Sequence, residues 1–183
     1  MIFIETSISG VFIVELQRIS DERGWFSRLY CAEELVKIMG NRHIAQINHS
    51  YTRTSGTIRG LHFQYPPKAE MKLIQCIRGK VFDVVVDIRT NSPTFLKWFG
   101  VILSEEEHKM IVIPEGCAHG FQVLSSNSEL LYFHTNYYSP ECEDGLSVMD
   151  PKIAIKWPIQ IGEISERDLN HQYINSDFLG VIL

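Results

Sequence analysis

No apolar run in the chain approaches the roughly 20 residues of a membrane span, and Met1 to Gly10 lacks the basic start and long apolar middle of a secretory leader. The expectation is a cytoplasmic protein with no membrane partner. The cysteines are few, and Cys31, Cys76, Cys117 and Cys142 include no Cys-x-x-Cys pair. That spacing excludes a zinc ribbon and a dense disulfide framework, and it leaves the thiols as reduced, structural side chains. A His-x-His pair, from which a small β-barrel could start a metal set, is missing too, so no metal is expected. Positive charge is in deficit, with 17 Lys and Arg against 22 Asp and Glu and a net charge of −5. Nucleic acid is therefore not expected as a partner, although a local basic pocket can still hold a phosphate. There is no internal repeat, low-complexity tract or linker. One domain over residues 1–183 is the expectation, large enough to bury roughly two thirds of its unfolded surface.

What remains is a pattern of short, two-fold alternation. Nine segments read as strands: 11–16, 45–50, 57–64, 71–78, 81–88, 98–103, 109–113, 120–124 and 130–135. Helix is scarce, with one candidate over Ala32 to Met39, closed by Gly40, and a short one near Ser165. Nine closely spaced strands predict an all-β sandwich or barrel.

Alternation also assigns faces. In 81–88, Phe82, Val84, Val86 and Ile88 form one apolar face, whereas Asp83 and Asp87 share the other with Val81 and Val85. Lys72 lies with Ile74 and Cys76, and a hairpin through Gly79 is expected to bring this cation near those acids. Tyr132 and His134 share a face. Arg59 and His62 are three apart and would point to opposite sides of a regular strand, but Gly60 between them permits a bulge that turns both inward. Polar groups on otherwise apolar strands suggest a barrel with a ligand in its mouth.

The stretch from Arg59 to Leu73 concentrates ionisable groups in this fabric. His62, Lys72 and Tyr132 supply a base, a cation and a phenol, a set suited to proton abstraction beside a carbonyl. Imidazole takes the carbon-bound proton, ammonium stabilises the enolate oxygen, and the phenol returns a proton from the other side. That chemistry requires no cofactor. Each residue also has a plain structural reading, as a hydrogen-bonded core histidine, a lysine reaching solvent and a tyrosine closing the core. Pattern alone leaves both readings open.

The runs Arg59-Gly60-Leu61-His62-Phe63-Gln64, Gly79-Lys80-Val81-Phe82-Asp83-Val84, Ser92-Pro93-Thr94-Phe95 and Pro114-Glu115-Gly116-Cys117-Ala118-His119-Gly120-Phe121 are followed by Tyr138-Ser139-Pro140, Trp157-Pro158 and Ser165-Glu166-Arg167-Asp168. In this order they resemble the dTDP-4-dehydrorhamnose 3,5-epimerase family along nearly the whole chain. The resemblance implies a cupin-type jelly roll, a homodimer, and an isomerase of a nucleotide-linked, dTDP-type 4-keto-6-deoxy sugar in deoxysugar or surface-polysaccharide precursor synthesis. It implies His62 as base in a dyad with Asp168, Tyr132 as opposing acid and Lys72 at the enolate. It also implies that Arg59, His119 and Arg23 hold the substrate or its diphosphate, that Gln46 and Asn48 hydrogen-bond it, that Glu143 and Arg167 complete the nucleotide end, and that Tyr138 stacks on the base. The chain departs from the family pattern at Phe26-Ser27-Arg28, where glutamate is expected at the third position, so Arg28 is a candidate specificity residue. Inversion at C3, C5 or both is left open, as are a nucleotide-sugar ketoisomerase and a non-catalytic nucleotide-sugar-binding cupin.

Overall fold

The computed structural model describes residues 1–183. Two antiparallel sheets face each other across one apolar layer. The first runs β1 (Ile2–Glu5), β2 (Phe12–Glu15), β10 (Lys109–Ile113), β7 (Lys72–Arg78), β12 (Ser128–His134), β5 (Gln46–Thr52). The second runs β13 (Glu143–Gly145), β6 (Ile58–Gln64), β11 (Cys117–Val123), β8 (Lys80–Asp87), β9 (Trp98–Ser104). A separate hairpin pairs β3 (Arg18–Asp21) with β4 (Gly24–Ser27). The chain is an all-β, cupin-type jelly roll with two short helices, α1 (Ala32–Met39) and α2 (Glu166–Leu169).

Side-chain alternation explains the layering. Val81 and Val85 join Ile74, Cys76, Phe121 and Leu130 between the sheets. The opposite face of β8, with Val84, Val86 and Ile88, packs beneath Leu146, Val148, Ile153 and Ile174 of the C-terminal tail. On the far side of the first sheet, Leu73, Met110 and Val112 are covered by Leu35 and Met39 of α1. That helix follows from its sequence: Glu33 and Glu34 suit its first turn, Lys37 suits its last, and Gly40 at φ +59 stops it. No helix is long and apolar enough to cross a membrane.

Two expectations about connection need correction. Gly79 does not close a hairpin, because β7 pairs with β10 and β12 in one sheet while β8 pairs with β11 and β9 in the other. Gly79, at φ +75, carries the chain from sheet to sheet. Lys72 therefore does not meet the acids of β8. Asp83 instead pairs with His119, and Asp87 with Arg89, Ser92 and Thr94. The strand expected at 120–124 begins at Cys117, and β1, β3, β4 and β13 add to the nine segments read from sequence.

The bulge at Gly60 is present. The β6·β11 register shifts between His119 and Phe121, and Gly60 adopts φ +121 against Gly120, whose Cα a Cβ would approach to 2.5 Å. Arg59 and His62 both reach the cavity as a result.

Candidate active site

A cavity of about 930 Å³ opens between the sheets at one end of the barrel. β6 and β11 form one wall and β5, β7 and β12 form the other, with α2 at the rim. The inward alternation of each strand thus delivers its polar residues to one space.

His62 on β6 is 2.8 Å from Asp168 Oδ1. The partner comes from α2, where Ser165 caps the helix by accepting the Asp168 N–H. Asp168 Oδ2 accepts the Gly60 N–H at 3.1 Å, so the bulge that turns His62 inward also anchors its carboxylate. Burial alone would raise the Asp168 carboxyl, but the hydrogen bonds from His62 and Gly60 outweigh it and hold it at about 2. Whichever ring nitrogen of His62 gains a proton, the imidazolium then stands against a fixed negative charge. Arg167 Nη2 also lies 2.8 Å from His62 Nε2, while its Nη1 donates to Glu143 Oε2 at 2.8 Å.

Tyr132 stands on β12, across the cavity from β6. Its hydroxyl is 3.2 Å from Ser50 Oγ, and burial raises the phenol well above its ordinary range, so it keeps its proton at neutral pH. Lys72 on β7 reaches across to donate to the His62 carbonyl at 3.3 Å and lies 3.4 Å from Glu70. Glu70 in turn is 2.9 Å from His134 Nδ1, and His134 Nε2 is 3.4 Å from the Asn48 amide. Glu70 and His134 are site residues that the sequence reading did not select. The signal for His134 is its shared face with Tyr132; that for Glu70 is its place among the ionisable groups of the stretch from Arg59 to Leu73.

The remaining expected residues are mostly here. His119, which lines the cavity, pairs with Asp83 at 2.8 Å, and both are buried. Arg59 donates to Thr52 Oγ1, and Gln46 Oε1 accepts the Tyr138 N–H. The Tyr138 hydroxyl donates to Glu143 at 3.0 Å, which gives an exposed aromatic face beside the Glu143–Arg167 pair. Two residues lie elsewhere. Arg23, with a side chain 89% exposed, pairs with Asp21 at the β3–β4 turn. Arg28 pairs with Glu34 of α1, and neither it nor Arg23 lines the cavity of this chain. One set of side chains could hold a metal: His62, Asp168 and His171, a histidine the sequence reading passed over.

Comparison with known proteins places this geometry. Residues 5–176 match the family model for dTDP-4-dehydrorhamnose 3,5-epimerase. The chain is 44% identical to the dTDP-4-dehydrorhamnose 3,5-epimerase of Shigella flexneri, over 96% of this chain and 97% of that one. It is 45% identical to the enzyme of that name from Salmonella typhimurium, over 92% of each. Among solved structures, a dTDP-6-deoxy-D-glucose-3,5-epimerase of Legionella pneumophila in complex with dTDP-4-keto-L-rhamnose superposes with a TM-score of 0.90 at 38% identity, covering 98% of this chain and 97% of that one. The His62–Asp168 pair, facing Tyr132 across a polar cavity, thus belongs to a chain of the dTDP-4-dehydrorhamnose 3,5-epimerase family.

Proposed function

We propose that this chain epimerises a dTDP-linked 4-keto-6-deoxy sugar at C3 and C5, with His62 as base and Tyr132 as acid. The observation that carries the reading is the placement of the two groups on opposite sheets of one cavity. A proton removed by one and replaced by the other enters on the opposite face of the carbon, which is inversion. Both carbons adjoin the C4 ketone, so one enolate chemistry serves both. Lys72 supplies the positive charge for the enolate oxygen. Asp168 orients the imidazole and stabilises its protonated form. Arg59, His119, Gln46 and Asn48 bind the sugar and diphosphate, while Tyr138, Glu143 and Arg167 receive the nucleotide. An aromatic face suits a pyrimidine and a guanidinium suits phosphate oxygens. The reaction as written draws only on these side chains.

The working form is a homodimer. The β3–β4 hairpin pairs with no other strand and exposes Ile19, Trp25 and Phe26, and β5 is a free sheet edge that exposes Ile47 and Tyr51. Gln46 and Asn48 of that edge also line the cavity. A hairpin from a second copy laid along β5 would cover both apolar patches and carry Arg23 to the cavity mouth, and two-fold symmetry would repeat the exchange.

The test is deuterium wash-in. dTDP-4-keto-6-deoxyglucose incubated with the protein in heavy water should gain deuterium at C3 and C5 as the L-configured product forms. Exchange at one carbon alone would limit the reaction to one centre. A product with its ketone at C3 and a hydrogen gained at C4 would make the protein a ketoisomerase, and tight binding without exchange would make it a binding protein.

A further inference from the structure

His171 lies behind the His62–Asp168 pair and has no part in the reaction above. Its ring rests on Gly145, where an added Cβ would come 2.3 Å from His171 Nε2, and Gly145 is the residue opposite His62 in the β6·β13 ladder. Only glycine leaves room for an imidazole there. The two histidine rings are 6.0 Å apart at 67°, and one nitrogen of each lies with an Asp168 oxygen in a group no more than 4.8 Å across. His171 Nε2 is buried with no hydrogen-bond partner. The nearest acid to its Nδ1 is Asp144, at 4.0 Å, beyond hydrogen-bond range. A buried ring nitrogen without a partner is costly unless something engages it.

We propose that His62, Asp168 and His171 form a binding site for a divalent transition-metal ion of the zinc class, and that the bound ion blocks the base. Two imidazoles and one carboxylate are a donor set for such ions, with a fourth position left for water. Ligand atoms around tetrahedral zinc stand about 3.3 Å apart. The His62–Asp168 contact is shorter than that, at 2.8 Å, so closure on an ion asks this pair to open by roughly half an ångström while His171 rotates in. The ion replaces the proton shared by His62 and Asp168. It must also displace Arg167 from His62 Nε2, and Arg167 has a destination, since its other terminal nitrogen already bonds Glu143. Metal and guanidinium thus compete for the space beside His62. Binding is independent of the reaction proposed above; only the blocking effect rests on it.

The full chain, stripped with a chelator, is titrated with Zn²⁺ by calorimetry and with Co²⁺ by visible absorption. One equivalent should bind, with the spectrum of a low-coordinate nitrogen and oxygen site. His171→Ala, and His171→Phe as a ring-preserving control, should each weaken Zn²⁺ binding by more than the roughly 10–100-fold typical of a lost outer-shell partner. Arg167→Gln should tighten it. Zn²⁺ should inhibit wild-type turnover reversibly with chelator, while both His171 variants keep metal-free turnover and escape inhibition. Absence of binding in the wild type, or equal binding in the His171 variants, overturns the site. A metal-free wild type that shows no exchange while still binding Zn²⁺ through His171 would overturn the proposed reaction and leave the metal site standing.

Discussion

Glu70 sits between a cation and an imidazole, with one carboxylate oxygen 3.4 Å from Lys72 Nζ and the other 2.9 Å from His134 Nδ1. All three residues are buried. The carboxylate fixes where the Lys72 charge points, and by accepting from His134 it leaves the far ring nitrogen to face the Asn48 amide. Removing it strands two polar partners. Glu70→Ala should destabilise the fold by about 1–3 kcal/mol, the usual cost of unsatisfied buried groups. Glu70→Gln keeps an acceptor for His134 and should lose less, yet it removes the negative charge beside Lys72. Urea unfolding measures the first effect. A change in kcat for Glu70→Gln at near-native stability would show the second; identical losses of stability in the two variants would contradict the separation.

This network also shows where sequence stops being informative. Alternation along 81–88 separates the two faces of β8 and along 130–135 sets Tyr132 and His134 together, as the structure has them, because the pleat is a local property. It did not say which sheet a strand joins. The turn at Gly79 reads as a hairpin from sequence, since a tight glycine connection looks the same locally whether the next strand pairs with the last or crosses to the facing sheet. Glu70 and His134 meet through the β7·β12 register, which sets His134 opposite Lys72 over a separation of 62 positions in sequence. The β3–β4 hairpin escaped because its strands are exposed at every position but Ser27 and carry no apolar alternation. β13 is three residues long and exists only by pairing with β6. Arg23 and Arg28 were tied to the site by resemblance alone, and their own contacts are with Asp21 and Glu34.

A second acid, Asp87, gives a prediction for stability against pH. Burial of this side chain would raise its carboxyl, but donors from Arg89, Ser92 and Thr94 outweigh that and lower it from 3.8 to about 2. The contribution is therefore present above pH 3.8 and disappears as pH falls through about 2. A depression of this size corresponds to about 2 kcal/mol. The stability difference between wild type and Asp87→Asn should hold steady at neutral pH and narrow progressively below pH 3.8. A difference unchanged down to the acid limit would mean that packing around residue 87, and not its charge, is what matters.

Arg23 tests the proposed dimer. On its own chain it is a solvent-exposed partner of Asp21, and such a pair adds little to stability because water screens it. If a second copy uses it to hold diphosphate, Arg23→Ala should leave unfolding unchanged and raise KM, with kcat within about threefold, as expected for loss of binding common to ground and transition states. Sedimentation of the wild type should give a dimer, and substitution of Trp25 and Phe26 by polar residues should weaken it. A monomer of full activity, with Arg23→Ala kinetically silent, would remove both the exchange of hairpins and the role of Arg23.

The assignment of base and acid is tested by breaking each in turn. His62→Ala removes the group that starts the reaction, so exchange at C3 and C5 should fall together, by roughly the 10²–10⁴-fold typical of a lost general base. Tyr132→Phe removes only a hydroxyl whose partner is Ser50, and the ring keeps its packing beside His119. Abstraction by His62 should then survive while delivery from the opposite sheet does not. The proton returns from the side it left, and deuterium enters with retained configuration faster than the epimer appears. Because His62 is partly shielded by Arg167, its captured proton can return before it exchanges with solvent. Pre-steady-state loss of isotope from C3-labelled substrate is the stricter measurement for that reason. Should His62→Ala still wash deuterium in while Tyr132→Phe cannot, the roles are reversed, with the phenol on β12 as base. Should both variants keep substrate binding and lose all exchange equally, a single acid–base unit spanning the cavity would replace the two-sided scheme.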